Sequence, residues 1–308
     1  MHYLITGGSG FIGSHLVEEL LSCGHKITVV DDFSTGNRHN LADCDDIIFL
    51  KKNILECKAE DLMTGCAGLI HLAATPSVTQ SWHAPLASHN NNISATVAIL
   101  ELCQKLAIPR LVFASSAAVY GNPNQVPISE DTPTQPISPY GLQKLASEQY
   151  IALFAKHLGI SAVNLRLFNV FGPRQDPSSP YSGVISIFAK AMSQGLPISI
   201  NGDGSQTRDF VYVKDVAAAF SNALTTPLAS GTTLTCNIGT GKAVSLMQLK
   251  ETLQSCFPEW QSPTTLAPPR PGDIQDSQAD ITKAEIHLGF APQFSLQAGL
   301  LALKQSLG

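Results

Sequence analysis

The stretch His2-Tyr-Leu-Ile-Thr-Gly-Gly-Ser-Gly-Phe-Ile-Gly-Ser-His-Leu-Val-Glu-Glu-Leu-Leu21 decides how the rest of the chain is read. An apolar run, Tyr3 to Ile5, stops at Gly7, and glycines recur at Gly10 and Gly13. An amphipathic pattern of Ile12, Leu16, Val17, Leu20 and Leu21 then takes over at helical spacing. This predicts strand, tight turn and helix. In such a turn Gly7 permits the bend, Gly10 lets a pyrophosphate approach the backbone, and Gly13 lets the helix pack close to the strand. An anion there sits on unpaired N–H groups at the positive end of the helix dipole. A second apolar run, Lys26 to Val30, ends in Asp31, where a carboxylate would accept from an adenosine ribose. The competing interpretation is a glycine-rich turn followed by an unrelated surface Asp.

Beyond this stretch, apolar runs and helical patterns alternate through the first two-thirds of the chain, which predicts an α/β fold with a doubly wound parallel sheet. The expected strands are Tyr3 to Thr6, Lys26 to Val30, Ile47 to Leu50, Gly68 to Leu72, Arg110 to Ala114 and Ser161 to Leu167. The expected helices are Phe11 to Cys23, Asn92 to Ala107 and Tyr140 to His157. The last two are more apolar than one buried face needs, as in a homodimer contact through 92–107 and 140–157 or in a thick core. After Phe171, proline and glycine become frequent and helical patches shorten. Residues 1–170 are expected to form the dinucleotide-binding domain, with parts of 210–240 returning to it. Residues 171–308 are expected to form mainly a smaller α/β substrate domain. Two final helices are expected after Asp280 and Ser295, with Gly289 ending the first.

The bulk numbers limit the function classes. Of 308 residues 44% are apolar and 14% charged, which supplies a core and excludes a disordered chain. The net charge is −5 and no run of Lys or Arg occurs, so nucleic acid and acidic membranes are poor partners. Seven scattered cysteines, none spaced Cys-x-x-Cys, argue against a disulfide framework and a zinc site. No apolar run reaches the roughly 18 residues of a membrane span, and no basic stretch precedes the first strand. A cytoplasmic protein without a metal is expected.

Phe113-Ala-Ser-Ser-Ala-Ala-Val-Tyr-Gly121 leaves the C-terminal end of an expected strand, where ligands of an open α/β sheet bind. In Ser138-Pro-Tyr-Gly-Leu-Gln-Lys144, Pro139 ends extended chain and Tyr140 opens a helix that carries Lys144 on the same face. An ammonium near a phenol favours the phenolate, which suits a group that takes a proton from a hydroxyl. Alone, this pair is structural as readily as catalytic.

With these segments in order, the chain resembles the extended short-chain dehydrogenase/reductases nearly end to end, and within them the nucleotide-sugar C4-epimerases of the UDP-galactose 4-epimerase type. Further matching stretches are Asp31-Asp-Phe-Ser-Thr-Gly36, His71-Leu-Ala-Ala74, Arg166-Leu-Phe-Asn-Val-Phe-Gly-Pro-Arg174, Gly202-Asp-Gly-Ser-Gln-Thr-Arg-Asp-Phe210 and Arg270-Pro-Gly-Asp273. The resemblance implies Tyr140 as acid/base, Lys144 on the nicotinamide ribose and Ser116 on the reacting O4. It implies NAD along Gly7, Gly10, Phe11, Ile12, Asp31, Asp32, Ser34, Thr35, Gly36, Asn53, Ile54, Leu72, Ala73, Ala74 and Asn92. It places a UDP-sugar against Ser77, Asn169, Val184, Arg208, Arg270, Asp273 and Ser277.

Three positions narrow the reaction. Ala117 and Ala118 stand where dehydrating or decarboxylating relatives carry acidic residues, because elimination needs a further proton donor and acceptor. Asp31 repels a 2′-phosphate and so favours NAD over NADP, although Arg38 lies nearby. Ser277 stands where, in the family, a bulky tyrosine restricts the sugar to glucose and galactose; a small residue leaves room for an N-acetyl group. Together these predict interconversion of UDP-GlcNAc and UDP-GalNAc, with UDP-Glc accepted more slowly. The corresponding hexuronic acids, a 4-reductase and a non-catalytic NAD-binding protein are the alternatives. Asn53 replaces the family's Asp on the adenine side and is expected to accept from the adenine amino group. His71, His83 and His89 are expected in ordinary packing or hydrogen bonding.

Overall fold

The computed structural model describes residues 1–44, 46–176, 183–269 and 274–307. The elements are β1 (His2–Thr6), α1 (Phe11–Ser22), β2 (Lys26–Asp31), β3 (Ile47–Lys51), β4 (Gly68–His71), α2 (Val78–His83), α3 (Pro85–His89), α4 (Ala95–Lys105), β5 (Arg110–Ser116), α5 (Pro139–Leu158) and β6 (Ser161–Leu167). They continue with β7 (Asn169–Phe171), α6 (Val184–Ser193), β8 (Ile198–Asn201), β9 (Thr207–Tyr212), α7 (Val213–Thr225), β10 (Thr233–Ile238), β11 (Ala243–Ser245), α8 (Leu246–Cys256), β12 (Thr264–Ala267), α9 (Thr282–Leu288) and α10 (Leu296–Ser306).

Seven strands form one parallel sheet in the order β10-β6-β5-β4-β1-β2-β3. Such a sheet is covered on both faces, so its strands are apolar runs without a polar side. β6 shows this most fully, being buried at every position. Successive side chains alternate between two cores. Ile5, Val112 and Val163 pack with Leu16, Val17 and Leu20 of α1 and with Val216 and Phe220 of α7. Leu4, Leu111 and Phe113 pack instead with Ile99 and Cys103 of α4 and Ile151 of α5. The strand order reverses between β1 and β4, which opens a crevice at their C-terminal ends.

The rest of the chain adds a smaller layer. β11, β9 and β7 form one short sheet and β12 and β8 another. Phe171, Phe188, Tyr212, Leu249, Phe257 and Leu303 form a separate apolar core between these and α6, α8 and α10. α1 is tied to the chain after β7 by His15 Nε2, which donates to the Pro173 carbonyl at 3.0 Å, and by the Glu18–Arg174 ion pair.

All six expected strands form, and β5 runs two residues past its expected end, so that Ser115 and Ser116 finish the strand. The helix expected from Asn92 instead begins as a single π turn, Asn90–Ser94, which leads into α4. Asp280 does not cap α9 as expected: Ile281 takes that place, although the Asp280 carboxylate accepts from Thr282 N at 3.0 Å. Gly289 ends α9 at φ 60°, and Ser295 caps α10. Among the described residues, no helix is long and apolar enough to cross a membrane.

Candidate active site

The crevice is floored by the glycine turn. Gly7 has φ +71°, and a Cβ on Gly13 would lie 2.1 Å from the Gly7 carbonyl oxygen, so α1 starts against β1 only if the position is glycine. Among the described residues no side chain caps α1, which leaves its first N–H groups open. The buried Ser9 hydroxyl in the same turn has no partner among the described residues. Open donors, a turn with no side chain in the way and an orphaned hydroxyl are what a bound pyrophosphate would complete, so these residues fit a dinucleotide.

Asp31 ends β2 and closes the turn from below, its carboxylate accepting from Ser9 N at 2.9 Å and Phe33 N at 2.8 Å. Phe33 takes a positive φ of 61°, held by a parallel stack on Phe49 with centroids 5.1 Å apart. The loop Asp32, Ser34, Thr35 and Gly36 is thereby folded over the turn, with Gly36 against Ser9. Burial would raise the Asp32 carboxyl, but hydrogen bonds from Ser34 and Asn53 outweigh it and leave the group below its usual range. Asn53 Oδ1 accepts from Leu55 N (3.0 Å), capping the short turn that begins at Ile54, while its Nδ2 donates to Asp32 at 2.8 Å. The expected adenine contact would therefore fall to the remaining lone pair of Oδ1.

Leu72, Ala73 and Ala74 follow β4 beside the turn, with Ala73 N donating to Thr6 Oγ1 at 3.3 Å. His71 is buried, bonded to Thr6 Oγ1 at 2.7 Å and stacked on Phe113. Burial, helped by the charge of Lys144, pushes His71 down to about 3, so it is neutral at ordinary pH. Asn92 sits in the π turn with its amide fully used: Oδ1 accepts from Thr75 N (2.9 Å) and Nδ2 donates to Gln143 Oε1 (2.7 Å). These bonds clamp the 75–83 segment to α5. The irregular turn is what aims Asn92 at both.

α5 carries Tyr140 and Lys144, the two expected catalytic residues on one helix face. Gly141 lets its first turn meet the segment after β5, since a Cβ there would lie 2.5 Å from the Ala118 carbonyl oxygen. That approach brings Tyr140 near Ser116, whose hydroxyl pulls the phenol down and accepts from Ala118 N at 3.1 Å. From α2, Ser81 Oγ accepts from Tyr140 N at 3.1 Å. Lys144 is 4% exposed, donates to the Ala114 carbonyl at 2.7 Å and lies 5.9 Å from the centre of the Tyr140 ring. Burial pushes its ammonium down to about 7, opposed by Glu148. One expectation is corrected here. In the chain without cofactor the Tyr140 phenol is raised by burial, against the Ser116 bond, rather than lowered by Lys144. A fully enclosed phenol loses more hydration than a lysine that is itself partly neutral can return.

On the facing side, Asn169 opens β7 and is exposed, and Val184 opens α6. Ser77 caps α2, accepting from Gln80 N at 2.9 Å. Arg208, on β9, donates to the Thr207 carbonyl at 2.7 Å, and Thr207 N donates to the carbonyl of Gln275 at 2.8 Å. Ser277, two residues on, is 8% exposed. Arg270 and Asp273 lie outside the described residues. Sequence reasoning missed Gln143 and Glu148; the signal for Glu148 was its place one turn beyond Lys144 on the same helix face.

Residues 3–239 match the model of the NAD dependent epimerase/dehydratase family. A putative UDP-glucose 4-epimerase of Methanocaldococcus jannaschii is 38% identical over 300 residues, covering 96% of this chain and 95% of that protein. Among solved structures, UDP-N-acetylglucosamine 4-epimerase of Methanobrevibacter ruminantium, in complex with UDP-N-acetylmuramic acid, superposes with a TM-score of 0.94 at 34% identity, covering 99% of this chain and 97% of that one. UDP-glucose 4-epimerase of Thermotoga maritima with UDP-glucose gives 0.93 at 35% identity, covering 100% and 98%. Likeness of this extent, over nearly the whole of each protein, shows that the chain belongs to the NAD-dependent epimerase/dehydratase family and that NAD is its cofactor.

Proposed function

We propose that this NAD-dependent UDP-sugar 4-epimerase interconverts UDP-GlcNAc and UDP-GalNAc, and UDP-Glc and UDP-Gal more slowly. The observation that carries the reaction type is the row Ser116, Tyr140 and Lys144 at the C-terminal edge of the sheet, beside the glycine turn. In this reading Tyr140 takes the proton of the sugar O4, Ser116 holds that oxygen, and Lys144 orients the nicotinamide ribose. Bound NAD would supply the acceptor and donor for the hydride of C4. The phenol then gives its proton back, so no second substrate is consumed.

Asn169, Arg208, Arg270 and Asp273 hold UDP in this proposal, Arg208 suiting the planar fork that matches phosphate oxygens. The nucleotide sugar lies mainly against residues after Phe171, and the dinucleotide against those before it. For the sugar, the small Ser277 supports room at C2, as does the likeness to an epimerase named for UDP-N-acetylglucosamine. Purified protein incubated with UDP-GlcNAc, UDP-Glc and their uronic acids, with products separated by chromatography, tests the choice. UDP-GalNAc is expected as the fastest product. Turnover confined to UDP-Glc or to a uronate would overturn it.

A homodimer through 92–107 and 140–157 belongs to the same proposal. Leu142 and Leu153 of α5 are exposed, and Trp82 and Leu86 lie exposed on the neighbouring α2 and α3, so the apolar part of this face is on α5 rather than α4. Light scattering on the eluted protein is expected to give twice the chain mass. Seven free cysteines fit a reducing cytoplasm.

A further inference from the structure

Three consecutive residues of β5 face three successive turns of α5. Ser116 meets Tyr140, the Ala114 carbonyl accepts from Lys144 Nζ, and Ser115 Oγ donates to Glu148 Oε1. The reaction uses the first two contacts and leaves the third unexplained. Glu148 is 6% exposed and is gripped from β6 by Arg166, with Nε on Oε1 at 3.0 Å and Nη2 on Oε2 at 2.7 Å. Arg166 Nη1 donates in turn to Tyr120 Oη at 2.9 Å, and Tyr120 Oη donates to Asn237 Oδ1 on β10 at 2.7 Å. A buried ion pair is poor value as a source of stability, because apolar residues of the same volume often serve as well. Its place behind the reacting row asks for another role.

We infer that Glu148 is a positioning residue: pinned by Arg166, its carboxylate fixes the end of β5 through Ser115 and sets a negative charge toward the Lys144 ammonium. This rests on the reading of Tyr140 and Lys144 as the acid/base pair. Among the described residues, few groups face Lys144. The Phe113 ring lies 4.7 Å from its Nζ, and His71 faces it from β4 as a neutral ring. The Tyr140 phenol precedes it by one turn and Glu148 follows it by one turn, with Arg166 reaching Glu148 from β6. A lysine so enclosed sheds its proton easily, and Glu148 is the group that opposes this. Removing that charge also leaves Arg166 unbalanced nearby, which repels the ammonium further.

Glu148→Gln keeps the shape and the acceptor for Ser115 while removing the charge. The Lys144 side chain is followed by 13C NMR in protein labelled at lysine Cε, with its signal assigned by Lys144→Met. In Glu148→Gln the Lys144 midpoint is expected to fall by at least about 1 on the pH scale. The alkaline limb of kcat should move down with it, and KM should stay within about twofold. In the double variant Glu148→Gln, Arg166→Met, which leaves no unpaired charge, the midpoint should lie between those of Glu148→Gln and the parent. If the single variant does not fold, the double variant carries the test, and its midpoint must lie below the parent's. A Lys144 midpoint equal to the parent's, with only a loss of thermal stability, would overturn the inference. The NMR readout does not require turnover, so a failed reading of Tyr140 as the acid/base would show instead as activity surviving in Tyr140→Phe.

Discussion

Glu148 and Asp209 are both buried carboxylates, one behind the reacting row and one beside Arg208, and they are held by opposite means. Glu148 meets a guanidinium in a planar fork. Asp209, fully buried, instead gathers Thr240 N at 2.7 Å, Thr240 Oγ1 at 2.7 Å, Gly241 N at 2.9 Å and Ala279 N at 3.1 Å. Burial raises its carboxyl and these bonds pull the other way. The first arrangement governs charge at one point. The second governs shape, since it ties the turn after β10 and the run before α9 to the strand that carries Arg208. The two halves of the site therefore depend on different physics, and substitutions should separate them.

The largest effect belongs to the reacting row. Tyr140→Phe should lower kcat by about 10³-fold or more while purified protein keeps its NAD, read by turnover and by absorbance of released cofactor. A variant with more than a tenth of parental activity would remove the phenol from its role. Next comes the shape-holding side: Asp209→Ala strands three backbone donors and a hydroxyl, and should cost about 3 kcal/mol in denaturant unfolding. A loss under about 1 kcal/mol would mean that the turns hold themselves.

The pH dependence of stability is expected from the reacting side. His71 titrates near 3 when folded and near 6.5 when unfolded, so protons favour the unfolded chain as pH falls below 6.5. Its contribution is complete above 6.5 and is lost downward to about 3, which makes the protein about 2 kcal/mol less stable at pH 5 than at pH 7 from this group. His71→Gln should flatten that slope; an unchanged slope would assign it elsewhere. The smallest expected effect is one of selectivity. Ser277→Tyr should cut kcat/KM for UDP-GlcNAc by about 10- to 100-fold while sparing UDP-Glc. Equal losses on both sugars would mean that position 277 does not face C2.

The same comparison explains what the amino-acid sequence discloses. The glycine turn, the β6 run and the Tyr140 and Lys144 pair are local patterns, since each is set by residues within one or two turns of chain. Ser277 and Arg208 were found by resemblance, and nothing nearby in sequence announces Asp209, whose donors lie 31, 32 and 70 residues away. The π turn at Asn90–Ser94 was missed because it answers to Thr75 and Gln143 rather than to its own propensities. The direction of the Tyr140 shift was missed for a similar reason: enclosure is a property of packing, not of spacing. Phe33, in the loop after β2, takes a positive φ, and its stacking partner Phe49 lies on β3, sixteen residues on.

The proposed reaction requires that a hydride leave C4 of the sugar and return to the same carbon. UDP-GlcNAc deuterated at C4, incubated with the purified protein in ordinary water, tests it by mass spectrometry and NMR of the products. UDP-GalNAc that keeps its deuterium at C4, with no net change in NADH absorbance, is the predicted result. Deuterium lost to solvent, or the absence of UDP-GalNAc, would contradict the claim.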